Sequence, residues 1–296
     1  MKKLVLGTAA TLALAACSPA TNESSPSQQF STEVSTDSAE TDLKLYVMNC
    51  GELDGDITPF GSEGEYDGMS AELAVMCFLI RHPEGDLVWD AGLPDALNAF
   101  SEGVPIEGTG SRMFVPVTMA SQLQTIGVSV DEIEYFSASH SHFDHVGNAA
   151  LLSGSTLLIH EDEYEFMYGQ GVEMGLVNPD LVLPLQDSET IMFNEEYDVF
   201  GDGRVVIVPA PGHTPGHSVL YLDLENAGPT YLSGDLYHFA RSRDEKIVPA
   251  FNFSKPQTLE TISAFEARLE AEGAQLIIQH APEELAVLPT PPAFLD

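Results

Sequence analysis

The sequence predicts an α/β sandwich, in which two mixed β-sheets pack face to face and carry helices on their outer surfaces. Two strand-rich blocks, one ahead of residue 92 and one over residues 199–232, each come with helical patterns of their own. Sheets with an apolar face must bury it, and two such blocks bury theirs against each other. With 296 residues, 44% apolar and 19% charged, the chain can build one sizeable core.

Residues 1–16 lie outside that fold. Lys2 and Lys3, an apolar stretch from Leu4 to Leu14 and the small residues behind it have the layout of a secretory signal. Leu14-Ala15-Ala16-Cys17 resembles the lipobox of bacterial lipoproteins, which makes Cys17 the acylated mature amino terminus. Ser18 follows in place of an acidic residue, so the expected address is the outer membrane or the periplasm. Residues 17–42 are rich in Ser, Thr, Asn, Gln and acids, a composition for a flexible tether. The folded domain is expected over 43–296.

Within it, Leu43–Met48, Leu73–Ile80 and Leu87–Ala91 read as strands, the last two joined across the turn signal His82-Pro83-Glu84-Gly85. Met119–Ile126 reads as a helix, Ile133–Ala138 and Thr156–His160 as strands, and Glu161–Tyr168 as a helix. After the second strand block come a helix over Pro256–Ala271, with Pro in its first turn, and a strand over Gln275–Gln279. The courses of Asp95–Arg112 and Tyr164–Leu183 are not set by pattern. Cys50 and Cys77 fit either a disulfide of an exported protein or two buried thiols. The formal charge of −35 argues against nucleic acid and anionic lipid as partners, leaving Cys17 as the membrane contact.

Chemistry concentrates in Ser139-His-Ser-His-Phe-Asp-His145. Continuing the preceding strand at period 2 puts His140 and His142 on one side, able to share a metal ion, while Asp144 and His145 reach a second from the turn beyond, before a helix opened by Val146-Gly-Asn148. Three later residues complete the set where strands open into loops: His213 in Gly212-His-Thr-Pro-Gly-His217, Asp235 after Thr230-Tyr-Leu-Ser-Gly, and His280 ahead of Ala281-Pro282. Imidazole and carboxylate without Cys suit Zn²⁺, and also Mn, Fe or Co. His82, His160 and His217 are expected to pack or support rather than ligate.

The order His-x-His-x-Asp-His, Gly-His, Gly-Asp and a final His resembles the metallo-β-lactamase superfamily, as does Val88-Trp-Asp90-Ala-Gly92. The resemblance covers most of the chain after the tether and implies an αββα fold with two Zn²⁺ ions. By motif position His140, His142 and His213 bind one ion, Asp144, His145 and His280 the other, Asp235 bridges, and Asp90 orients a ligand from behind. Phe78–Gly85, His142-Phe-Asp-His145 and Val248-Pro-Ala-Phe-Asn252 further resemble the N-acyl homoserine lactone lactonases. That implies quorum-quenching hydrolysis of an acyl lactone: a metal-bridging hydroxide attacks the carbonyl, and Asp144 passes the proton to the leaving oxygen. Those lactonases carry a Tyr three residues after the bridging Asp, whereas here Tyr237 is second and His238 third. Position favours His238 as the group at the carbonyl, while strand alternation favours Tyr237. Competing readings are a phosphotriesterase or other ester hydrolase on the same fold, and a lipid-anchored binding protein with an inert metal site.

Overall fold

The computed structural model describes residues 42–296, so the signal segment, Cys17 and all of the tether but Asp42 lie outside the described residues. The first sheet contains β1 (Lys44–Asp56), β2 (Ser70–His82), β3 (Gly85–Trp89), β4 (Val104–Pro105), β5 (Arg112–Phe114), β6 (Tyr135–Ser137), β7 (Thr156–His160) and β8 (Thr190–Phe193), in the order β4-β5-β1-β2-β3-β6-β7-β8. The second contains β9 (Tyr197–Asp198), β10 (Val205–Pro209), β11 (Ser218–Leu224), β12 (Gly228–Leu232) and β13 (Gln275–Ile277), in the order β13-β12-β11-β10-β9. Both are mixed: β3, β6, β7 and β8 run parallel, as do β12 and β13, and the other pairs are antiparallel. The helices are α1 (Met119–Ile126), α2 (Glu161–Tyr168), α3 (Gln170–Glu173), α4 (Pro179–Val182), α5 (Ala240–Glu245), α6 (Lys255–Glu272) and α7 (Pro282–Leu285).

Strand periodicity explains the layers. Along β1, Leu45 and Val47 face Val205, Ile207, Leu220 and Leu222 of the other sheet, while Tyr46 and Met48 turn outward toward α1 and α2. Because both faces are covered, β1 and β2 are apolar almost without alternation. The outer face of the second sheet packs Val219, Tyr231 and Leu276 on Ile262, Phe265 and Leu269 of α6. Helix, sheet, sheet and helix therefore stack in that order, the predicted sandwich.

Several boundaries move. The strands expected at 43–48 and 73–80 extend to 13 residues each, and their far ends reach the functional cleft. A bulge between Asn49 and Glu52 sets Cys50 and Gly51 of β1 against the single residue Val75 of β2. There Cys50 is joined to Cys77 of β2 across a Cα–Cα distance of 5.7 Å, so of the two readings for these cysteines the structure takes the disulfide. The unplaced stretch 95–112 supplies a short 3₁₀ turn, β4 and the approach to β5. No helix opens at Val146: only a four-residue 3₁₀ turn follows, because Asn148 spends its side chain holding the Ala91 and Leu93 carbonyls and the Asp95 amide. At the opposite end, Leu295 pairs with Leu45 of the first sheet, and the Asp296 carbonyl accepts from Asn226 and Ala227 in the turn between β11 and β12. Among the described residues no helix is long and apolar enough to cross a membrane.

Candidate metal centre

The ligand candidates stand on loops at the ends of buried strands. β6 stops at Ser137, so His140 and His142 converge from an irregular loop and not by strand alternation. What bends that loop is Asp90, itself held at φ 58°, a conformation uncommon outside Gly, at the end of β3. Its Oδ1 accepts from the Ser139 amide (2.6 Å), and its Oδ2 from Ser139 Oγ (3.1 Å), Gln279 Nε2 (2.6 Å) and His145 Nδ1 (3.0 Å).

Four of the five imidazoles are oriented by what the outer nitrogen touches, whereas His142 turns Nδ1 inward and its buried outer Nε2 has no partner. His213 Nδ1 donates to Asn252 Oδ1 (2.8 Å), His280 Nδ1 to the Ala74 carbonyl (2.7 Å), His145 Nδ1 to Asp90, and His140 Nδ1 to Ser139 Oγ (3.1 Å). With the protons outside, the Nε2 lone pairs point inward and face one another. His213 Nε2 lies 3.2 Å from His140 Nε2 and 3.0 Å from His142 Nδ1, and His145 Nε2 lies 3.3 Å from His280 Nε2. Lone pairs brought so close repel unless a cation lies between them, and this donor set fits a divalent metal.

Asp235 joins the two groups. Its Oδ1 is 3.0 Å from His145 Nε2 and 2.9 Å from His280 Nε2, and its Oδ2 is 3.2 Å from His213 Nε2 and 3.6 Å from His140 Nε2. Oδ1 is buried without a hydrogen-bond donor. Asp144 closes the second group, with Oδ1 3.9 Å from His145 Nε2 and Oδ2 3.7 Å from His280 Nε2. All seven predicted ligands are thus brought together, as one group of His140, His142, His213 and Asp235 and another of Asp144, His145 and His280.

The electrostatics favour a cation here. Burial and neighbouring imidazoles push His140 and His142 well below the usual histidine range. At His145 and His280 burial acts in the same sense, but Asp235 and the other carboxylates outweigh it and raise both. Burial would raise Asp235, yet the surrounding imidazoles hold it well below the usual carboxylate range.

Tyr237 is not at the centre. Gly234–Leu236 is a 3₁₀ turn and not a strand, so alternation does not apply. The Tyr237 hydroxyl points away and donates to Glu266 (2.7 Å). The turn instead carries His238 back over Asp235, where its Nε2 donates to Oδ2 at 3.0 Å and its ring lies parallel to that of His280. Burial lowers His238 to about 4, so it is neutral at pH 7. His217 supports from behind, donating to the Ala210 carbonyl and accepting from the Asp235 amide (2.9 Å each). His82 and His160 lie elsewhere, the first on Asp202 and Phe200, the second capping α2.

Sequence reasoning passed over Asn252 and Ser139, although both stand inside motifs it singled out. It missed Glu163, Gln279 and the Ala74 carbonyl outright. Glu163 reads as one more acid in the first turn of α2, where it is buried and pushed up by that burial. The centre opens into a cavity of about 270 Å³ that His142, Asp144, Asp235, His238 and His280 also line. Leu53, Ile57, Phe60, Leu73, Phe143 and Phe251 give it an apolar wall, Asp54 and Asp56 stand on its lining, and among the described residues no Lys or Arg does.

The sequence matches the metallo-beta-lactamase superfamily model over residues 71–265. It is 25% identical over 268 residues to the N-acyl homoserine lactonase AttM of Azorhizobium caulinodans, covering 86% of this chain and 100% of that one. It is 26% identical over 245 residues to the N-acyl homoserine lactonase AiiA of Bacillus thuringiensis subsp. kurstaki, covering 81% and 94%. Among solved structures, an N-acyl homoserine lactone hydrolase with the product N-hexanoyl-L-homoserine at its catalytic metal centre superposes with a TM-score of 0.73 at 23% identity, over 86% of this chain and 99% of that one. The dizinc quorum-quenching lactonase AidC gives 0.63 at 17% identity, over 82% and 88%.

Proposed function

The chain belongs to the metallo-β-lactamase superfamily, and from that premise we propose that it is a dinuclear zinc hydrolase that opens the lactone ring of N-acyl homoserine lactones. The observation that carries the reading is the pair of ligand groups sharing Asp235 at the base of an apolar cavity. The names of the curated relatives support the choice of lactone.

His140, His142 and His213 would hold one ion, Asp144, His145 and His280 the other, and Asp235 both. Bound there, the ions supply Lewis acidity and lower the pKa of water. The chain's own residues do the rest. Asp144 stands on the cavity wall, where its carboxylate can take a proton and deliver it to the leaving oxygen. His238 acts first on the bridging carboxylate, its Nε2–H fixing Asp235 Oδ2. The apolar wall receives an acyl chain, at about 0.8 kcal/mol per methylene buried. Away from the ligands, the described lining offers carboxylates and no Lys or Arg, so it gives a charged acyl group no partner and suits a neutral one. The signal and lipobox of the sequence support export and anchoring at Cys17 as part of the same reading.

The test follows proton release by zinc-loaded protein on acyl homoserine lactones of four to twelve acyl carbons, beside a neutral phosphotriester. Lactone turnover that a chelator abolishes is the expected result. Phosphotriester turnover without lactone turnover would transfer the same centre to phosphorus chemistry, and at most stoichiometric change would make the protein a binder.

A further inference from the structure

We propose that Glu163 is the positioning residue for the first half of the metal centre, a carboxylate clamp that sets the distance between the loop bearing His140 and His142 and the loop bearing His213. The proposal rests on the two-metal reading and goes beyond it, because Glu163 belongs to neither ligand group.

α2 opens with three consecutive acids, of which Glu161 and Asp162 are exposed while Glu163 is 1% exposed. Its Oε1 accepts from the Ser141 amide (2.8 Å) and from Ser141 Oγ (2.6 Å). Its Oε2 accepts from Thr214 Oγ1 (2.5 Å) and from the Gly216 amide (3.2 Å). Ser141 lies between two ligands, and Thr214 follows the third. One side chain thus spans the loops that carry all three imidazoles of the first half. At the base of these loops the Ser218 amide donates to the Ser139 carbonyl (2.9 Å); at the level of the imidazoles Glu163 makes the link. Gly216 is part of the fit, since a Cβ there would lie 2.2 Å from the Glu163 amide nitrogen.

The choice of an acid is informative. No Lys, Arg or His pairs with Glu163 among the described residues, and a buried carboxylate without a counter-ion is costly. An apolar residue would fill the same space at lower cost. A carboxylate alone presents acceptors at both ends, and the two loops present donors to both. A glutamine turns an NH₂ toward one of them, where the hydroxyl could accept but the backbone amide of Ser141 or Gly216 can only donate. That opens the clamp on one side without changing its volume.

The experiment titrates the metal-free full-length protein with Zn²⁺ against a chromogenic chelator, for wild type, Glu163→Gln and Thr214→Val. Thr214→Val keeps shape and removes one donor, guarding against a Gln variant that fails to fold. Wild type should bind two equivalents tightly. Both variants should keep one tight equivalent and bind the other about ten- to a hundredfold more weakly, with turnover restored by excess Zn²⁺. Two tight equivalents in both variants would overturn the clamp and leave the two-metal reading standing. Equal weakening of both equivalents, in step with a lower melting temperature of the metal-free protein, would make Glu163 a core residue and nothing more. Fewer than two equivalents in wild type would overturn the two-metal reading and this proposal with it.

Discussion

His140, His142 and His213 ride on loops that meet chiefly through a side chain brought in from α2, whereas His145 and His280 lean on the first sheet itself. The second pair is backed by the Ala74 carbonyl of β2 and by Asp90 at the end of β3. One half of the centre is held by a removable clamp and the other by the scaffold. Placement of the second half should therefore follow the first sheet and Asp90 at its edge, and placement of the first should depend in addition on Glu163.

The comparison is lost altogether in Asp235→Ala, which removes the group both halves share. Turnover should fall to background and metal content should drop, and full turnover in this variant would refute the two-metal centre. Next in size is Cys50→Ala with Cys77→Ala. The bridge closes a separation of 27 residues between the two longest strands, worth about 3.5 kcal/mol, or a loss on the order of 10 °C in melting temperature. By the comparison, its loss should loosen the second half before the first, which metal titration of the reduced protein would detect. Asp90→Asn, unlike the Glu163 variant, touches both halves. An amide cannot accept from all of Ser139, Gln279 and His145, so the second half should lose about ten- to a hundredfold in affinity and the first should weaken with it through Ser139 and His140.

Smaller still is the contrast between neighbours at the shared ligand. His238→Phe should retain both ions and lower turnover by roughly tenfold or more, because Asp235 loses its donor. Tyr237→Phe should leave turnover alone and cost about 1 kcal/mol of stability through the lost Glu266 bond. The least effect concerns Glu284, which accepts from the Ile278 amide (2.6 Å) beside the strand that presents His280. Burial pushes Glu284 up to about 7, against an ordinary 4.5. The folded state therefore holds this proton more tightly than the unfolded one. Stability from this group is full below pH 4.5, declines as pH rises toward 7 and is gone above it. Glu284→Gln should flatten melting temperature across that window, and an unchanged slope would remove Glu284 from the account.

The cluster was legible because metal binding constrains residue type and spacing together, so the seven side chains that the fold gathers stand out in order. The sandwich was legible because β1, β2 and the β10–β12 block are apolar runs of strand length. What stayed hidden depends on contacts between distant segments. Glu163 is one of several acids on a helix until Ser141 and Thr214 are seen beside it. The direction of Tyr237 turns on whether three residues form a strand or a 3₁₀ turn, which period-2 reasoning presupposes. β4 and β5 are too short to carry a pattern and exist because β1 offers β5 an edge and β5 offers one to β4.

β1 enters at Lys44 and reaches the cavity at Leu53–Asp56, a run of roughly 35–40 Å at strand rise. The described chain thus enters the first sheet at the end remote from the cavity, and that entry does not crowd the mouth. Leu295 and Asp296, both buried, tie β1 to the β11–β12 turn, so this short segment latches one sheet to the other along their seam.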